Sequence, residues 1–355
     1  MLEDLKGPPA NPSSVHSFGQ RAKALLTRSR QTVSSYFGVK PEEVIFTSGA
    51  TESNNLMLRG FSSTKGHLIT TALEHSSIYN TVKLLEAQGW TVDYIPCGLW
   101  GAPRPELIEQ AIRPHTRALI FSAVNSETGV KIDLEAIASI AEKHQIPLFI
   151  DAVALIGKES LPTGKLPKGV TALSLSGHKF HAPKGIGALI LRSTCKIHPQ
   201  LTGGSQEFQK RGGTENLSGI LGLAEAIAIL AEKDQQIEKE LLELRMYLEE
   251  EICKKIPTTL INGQGPRVSN TVCMAFPGID GESLLMHLDL AGIAVSHGSA
   301  CASGALEPSR VLTQMGIDRK IARSSIRISL SRLNTKEEIN QFVKIIHYIC
   351  NNNSF

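Results

Sequence analysis

Several things are scarce in this chain, and each scarcity narrows what it can be. Among its 355 residues no run of lysine and arginine forms a basic patch or tail, and the net charge is only +3. Nothing therefore points to a nucleic-acid partner. No apolar stretch approaches the roughly 18 residues that a membrane span needs, so no membrane partner is expected. The opening residues, MLEDLKGPPANPSS, are acidic, proline-rich and polar and do not read as a signal peptide. Aromatic residues are few, at 5%. The six cysteines (Cys97, Cys195, Cys253, Cys273, Cys301 and Cys350) lie far apart with no CxxC pair. That spacing disfavours a disulfide framework or a cysteine-rich zinc site and fits a reducing, cytoplasmic setting; no metal site is expected.

What is present is an alternation. A helical pattern runs from about Val15 to Phe37, with Gly38 as its stop, and a short apolar run, Val44 to Thr47, leads into SGATESNN and a second helical stretch ending at Gly60. The segments HLITTA, TVDYIP, ALIFSAV and PLFIDAV read as strands, and helical patterns separate them. Strand alternating with helix predicts an α/β fold with a large, mostly parallel sheet covered on both faces. From Glu215 to Lys255 the pattern is one long helix, its second half heavily charged. A smaller α/β segment follows: strand SNTVCMAF, helix GESLLMHLDLAG, strand IAVS, a loop around Cys301, strand SSIRISL and a final helix. The length predicts two domains, or one large domain with an appendage.

In parallel sheets ligands sit at the carboxyl ends of the strands, and the chemically capable residues fall there. Thr51 and Asn54 follow one strand, His75 another and Asn125 a third; Asp151 closes a fourth, and Ser176-Gly177-His178-Lys179 follows a fifth. A lysine in such company is placed to form a Schiff base, most familiarly with pyridoxal phosphate. That cofactor asks for hydroxyls and a helix N-terminus at its phosphate, a carboxylate at its ring nitrogen and a flat group against its face. Gly49-Ala50-Thr51, Ser176 and His178 meet the first need, Asp151 the second and His75 the third. Taken singly, Asp151 reads equally as a turn cap, His75 as a structural histidine and SGATES as an ordinary capping motif. Lys184 in PKGIG reads as a loop lysine, which leaves Lys179 as the preferred nucleophile. The thiol of Cys301 lies among glycine, serine and alanine, the profile of an accessible loop; the other five cysteines read as inert buried thiols.

The segments NPSSVHSFG, VIFTSGATESNN, EHSSI, VNSETGV, SLSGHKFHAPKGIGAL, GGSQEFQKRGGTEN, SHGSACASG and SSIRISLSR span nearly the whole chain. In this order they resemble the class V aminotransferase group of pyridoxal-phosphate enzymes, and within it the cysteine desulfurases. The resemblance implies a fold type I enzyme with a large cofactor-binding domain over 15–240, a small domain built from both chain ends, 1–14 and 241–355, and a homodimer with shared sites. It implies that Lys179 carries the cofactor, Asp151 faces the ring nitrogen and His75 stacks, while Ala50, Thr51, Ser176, Gly177 and His178 form the cradle. Asn125 would lie near the ring oxygen and substrate, and Thr214 would serve the phosphate of the other subunit. Arg327 would hold the substrate carboxylate, a role that suits a guanidinium. Cys301 would take sulfur from L-cysteine, leaving alanine and a persulfide; its SGSAC-like surroundings, here SHGSAC, resemble the long-loop subgroup that delivers sulfur to iron-sulfur scaffolds or other acceptors.

Two departures stand out. Ala154 occupies the place of a glutamine that would bond the cofactor's phenolic oxygen, and an upstream Ala-Thr-Thr-Pro segment has no counterpart in the sequence. Together they predict slow turnover and weak cofactor retention. A selenocysteine lyase, another class V lyase or aminotransferase, and a catalytically weakened scaffold homologue remain alternatives at this point.

Overall fold

The computed structural model describes residues 1–61, 64–161, 165–298 and 308–352. A short helix α1 (Leu2–Lys6) precedes α2 (Ser17–Phe37), which Gly38 closes as its sequence predicts. The alternating region then gives β1 (Val44–Thr47), α3 (Ala50–Gly60), β2 (His67–Thr70), α4 (Ser76–Ala87), β3 (Thr91–Tyr94), α5 (Pro105–Ala111), β4 (Thr116–Ser122), α6 (Leu134–His144), β5 (Leu148–Asp151), β6 (Val170–Ser176) and β7 (Gly187–Leu191). A single turn α7 (Gln206–Gln209) precedes the long helix α8 (Leu217–Lys255). The remainder forms β8 (Leu260–Ile261), β9 (Thr271–Ala275), α9 (Gly281–Leu290), α10 (Arg310–Gln314), α11 (Arg319–Arg323), β10 (Ser325–Ser329) and α12 (Lys336–Asn352).

The first seven strands form one sheet in the order β1-β7-β6-β5-β4-β2-β3. Pairings from β6 through to β3 are parallel, and β7 runs antiparallel to both β6 and β1. The sheet is therefore mostly parallel, as the alternation predicts. Its strands are near-continuous apolar runs because both faces are covered. One face packs Phe46, Phe121, Ile150 and Leu173 against residues of α2, α6 and α8. The other packs Ile45, Ile120 and Phe149 against residues of α3 and α4. A second, three-stranded antiparallel sheet, β10-β9-β8, carries a separate core of Val272, Met274, Ile326 and Ile328 with residues of α9 and α12.

Register decides where the polar strand ends meet. Ser122 pairs with Asp151, and Asp151 with Ser174, while Ser176 and Thr47 both pair with Gly187. The ends of β4, β5, β6 and β1 thus share one edge. Gly187 permits this closeness, since a Cβ there would lie 2.5 Å from the Leu175 carbonyl oxygen and 2.7 Å from Gly49 Cα.

Two expectations need correction. The segment IAVS is not a strand: only Ser296 joins the sheet, through an isolated bridge to Arg327. The apolar Ile293 and Val295 pack against the small core without extending the hydrogen-bond ladder. Nor are all five non-loop cysteines buried: Cys195 and Cys350 are only half-buried, and Cys253 is exposed. It falls on the solvent side of the last turns of α8, beside Lys254 and Lys255, while Ile252 faces the core. Among the described residues no helix is long and apolar enough to cross a membrane.

Candidate active site

A cavity of about 480 Å³ opens at the shared sheet edge. Its lining includes Ala50, Thr51, His75, Asp151, Ser176, His178, Lys179 and Arg327, so eight sequence-predicted residues from separate segments meet there. Gly177 lies buried in the turn between Ser176 and Lys179.

At one end stands the N-terminus of α3. Its cap residue Gly49 has φ 153° and offers no side-chain hydrogen bond, so the first-turn amides of this 11-residue helix open on the cavity. Unsatisfied amides aligned with the helix dipole attract an anion. Ser176 Oγ lies 3.1 Å from His178 Nδ1 beside them. Partial desolvation, then the charges of Lys179, Lys184 and Lys158, push the His178 imidazole below its ordinary pKa. It is therefore a neutral hydrogen-bonding group near pH 7, in a wall whose net charge is positive.

Asp151 ends β5 and is buried. Its Oδ1 accepts from the Val153 amide at 3.0 Å and its Oδ2 from Asn54 Nδ2 at 2.9 Å. Asn54 Nδ2 also donates to Ser77 Oγ at 2.9 Å. The hydroxyl lies 2.8 Å from His75 Nδ1, which also accepts from the Ser77 amide at 3.2 Å. Nδ1 is an acceptor in this arrangement, so the neutral imidazole carries its proton on Nε2. His75 is the N-cap of α4, which explains why its ring is held at the helix start rather than free to rotate.

Lys179 sits in the 3₁₀ turn Gly177–Phe180 directly after β6, and its backbone carbonyl accepts from Lys158 Nζ. Lys184 lines the same cavity. Arg327 reaches in from β10 of the small sheet. Its Nη1 donates to the Ser126 carbonyl at 2.9 Å and its Nη2 to Ser296 Oγ at 3.0 Å, while the buried Nε has no hydrogen-bond partner among the described residues. A guanidinium with an unmatched buried donor suits a carboxylate ligand.

Besides Gly177, two predicted residues, Asn125 and Thr214, are not in the lining. Asn125 is buried, with Nδ2 donating to the Leu73 carbonyl at 3.0 Å and Oδ1 accepting from the Glu127 and Thr128 amides, each at 3.0 Å. Both ends of its amide hold loops in this structure. Thr214 is exposed and borders a smaller cavity of about 80 Å³ that shares Ser48 and Gly185 with the main one. Cys301 lies outside the described residues.

Sequence reasoning placed Asn54 near the site but gave it no role, and passed over Ser77, Glu74 and Ser122. Glu74 is fully buried and takes hydrogen bonds from Thr71 Oγ1 at 2.7 Å, Ser122 N at 2.7 Å and Ser122 Oγ at 2.6 Å. Burial pushes its carboxyl up to about 7. The acidic residue preceding His75 in EHSSI was the only local signal. Among the described residues no group of three or more His, Cys, Asp or Glu side chains could hold a metal ion.

The donor set fits pyridoxal 5'-phosphate. Open helix amides and hydroxyls face one end, a pinned carboxylate faces another, and a lysine, an imidazole and an arginine complete the wall.

Comparison with known proteins agrees. The profile of the Aminotransferase class-V family matches residues 2–342. A cysteine desulfurase IscS of Dictyoglomus turgidum is 39% identical over 351 residues, 97% of this chain and 88% of that protein. Its counterpart from Methanosarcina thermophila is 39% identical over 95% of this chain and 84% of its own length. Among solved structures, a NifS-like protein has a TM-score of 0.87 at 35% identity, covering 96% of this chain and 91% of that one. A structure of SspA in complex with cysteine has a TM-score of 0.80 at 31% identity, covering 94% and 95%. The chain therefore belongs to the class-V aminotransferase family, among its cysteine desulfurases.

Proposed function

We propose that this chain is a pyridoxal-phosphate-dependent cysteine desulfurase that converts L-cysteine and the Cys301 thiol into L-alanine and a Cys301 persulfide. The observation that carries the reading is the convergence of Lys179, Asp151, His75 and Arg327 on one cavity beside the open N-terminus of α3. When bound, the cofactor supplies an electron sink for the substrate's α-carbon. The chain does the rest. Thr51, Ser176, His178 and the α3 amides hold the phosphate, with Ala50 and Gly177 keeping the backbone close. Asp151 holds a proton on the ring nitrogen, and its two hydrogen bonds keep the carboxylate aimed. His75, whose Nδ1 is held by Ser77, would lie against the ring. Lys179 Nζ would hold the cofactor and carry protons to and from the substrate α-carbon. Arg327 fixes the substrate carboxylate through paired N–H donors.

Cys301 then accepts the sulfur. The substrate C–S bond breaks, an S–S bond forms on Cys301 Sγ, and the three-carbon remainder leaves as alanine. The thiol must be ionised to attack. Asn125 serves this site in the reading taken from the family, at the ring oxygen and substrate. Its occupied amide here supports an indirect part, through the Leu73 turn.

The wider reading is a cytoplasmic homodimer in which Thr214 completes the phosphate site of the other copy; its exposure and its absence from the cavity of its own chain support that assignment. The chain divides into a large unit, 15–240, and a small unit of 1–14 and 241–355, and the sulfur passes to an acceptor protein such as an iron-sulfur scaffold. The test is direct. Purified protein, loaded with pyridoxal phosphate and given L-cysteine, should release one alanine per sulfur transferred and carry a persulfide on Cys301. Borohydride should fix the cofactor on the peptide containing Lys179; fixation on Lys184 alone would reassign the lysine. Turnover of selenocysteine with none of cysteine would favour a selenocysteine lyase, and absence of both a weakened homologue.

A further inference from the structure

Three successive carbonyls precede His75, those of Ala72, Leu73 and Glu74, and each is held by a side chain from far along the chain. Arg310, the first residue of α10, donates from Nη1 to Ala72 and from Nη2 to Glu74 at 2.6 Å. Asn125 Nδ2 takes the carbonyl between them, at Leu73. The Arg310 guanidinium also lies over the Tyr79 ring in α4, with its carbon 4.0 Å from the ring centroid. On the inner side, the Glu74 carboxyl is anchored to Thr71 and Ser122. The turn from which His75 projects is thus gripped from both sides. Arg310 itself is absent from the cavity lining.

We propose that Arg310 is a positioning residue for His75. Its planar fork spans two carbonyls of the turn while its face rests on the helix that His75 caps. It thereby fixes the backbone on which the imidazole is mounted, and with it the plane against which the cofactor ring lies. A lysine could reach one carbonyl but not bridge two or stack in the same way. Stacking depends on ring placement to within a fraction of an ångström, so a turn loosened by loss of this fork would forfeit contact without any residue in the cavity having changed. The inference rests on the reading that His75 lies against the cofactor.

The experiment is a four-way comparison of wild type, Arg310→Met, His75→Ala and the double variant. Each apo-protein is titrated with pyridoxal phosphate, and the visible circular dichroism of the bound cofactor is recorded. Loss of the His75 contact should weaken cofactor binding about two- to ten-fold and diminish the dichroic band. Arg310→Met should do the same when His75 is present and add nothing once His75 is alanine. Arg310→Lys should not restore the band, and it replaces Arg310→Met throughout the comparison if that variant fails to fold. Wild-type binding and dichroism in the Arg310 variant, or an equal further loss in the His75→Ala background, would overturn the inference alone. An unchanged titration and band for His75→Ala would overturn the reading of His75 and this inference with it.

Discussion

Asn54 Nδ2 donates to Asp151 Oδ2 at 2.9 Å, and through Ser77 the same amide nitrogen is linked to His75. One buried amide on α3 therefore orients both Asp151 and His75, the groups proposed to meet the cofactor's ring nitrogen and ring face. Asn54→Ala should weaken both. A hydrogen bond to a charged group is worth about 1.5–3 kcal/mol, so cofactor affinity should fall about ten- to a hundred-fold with the fold intact. Fluorescence titration of the apo-protein with pyridoxal phosphate measures it, and wild-type affinity would refute the linkage.

Glu74 predicts a pH effect on stability. Its carboxyl is raised to about 7 from the ordinary 4.5, with burial the largest cause; Asp151 adds to the rise, and Ser122 and Thr71 oppose it. Arg310 and Cys97 are the other ionisable neighbours. Between pH 4.5 and 7 the folded protein keeps a proton that the unfolded chain has lost. Stability from this group is thus present at low pH and declines as pH rises to about 7, by at most about 1.4 kcal/mol per unit. Urea unfolding of wild type minus Glu74→Gln, from pH 5 to 8, should show that decline and then a plateau. A difference that does not change across the range would exclude it.

The cysteines should separate by reactivity. Burial pushes Cys97 and Cys273 up to about 12 and Cys195 and Cys350 to about 11, and also raises Cys253, which remains exposed. Fewer than about one in a hundred of the four higher thiols is ionised at pH 8. Iodoacetamide at that pH should label Cys301 first and Cys253 second, with the rest slow. Cys301→Ala should retain the cofactor and lose the persulfide. Radiolabelled sulfur from cysteine found on Cys253 in that variant would contradict the assignment.

Ala154 lines the cavity three residues after Asp151, next to the Val153 whose amide donates to that carboxylate, and its methyl can donate no hydrogen bond. Ala154→Gln should tighten cofactor binding about ten-fold and shift the pH dependence of its absorbance, consistent with a gained bond to a charged oxygen. No change in either quantity would mean that another group already meets that oxygen.

Much of this was legible along the chain. Apolar runs separated by amphipathic helices specify a mostly parallel sheet through local periodicity, and SGATES, EHSSI, PLFID and SGHK mark the strand ends at which its site forms. The antiparallel strand β7 was not legible, because a fully buried apolar run carries no direction. Nor was the failure of IAVS to form a strand, since pairing depends on which edge is offered to it. The destinations of polar side chains were the least readable. Asn54 meets Asp151 across 97 positions and Arg310 meets Glu74 across 236. The sequence by itself determined the layers, the order of the site segments and the kinds of chemistry available. Only the tertiary structure decided that Asn54 links Asp151 to His75, that Asn125 and Arg310 hold the His75 turn, and that Arg327 crosses from the second sheet. Hydrophobic pattern is set by near neighbours, whereas a buried polar atom must find its partner wherever the folded chain brings one within hydrogen-bonding distance.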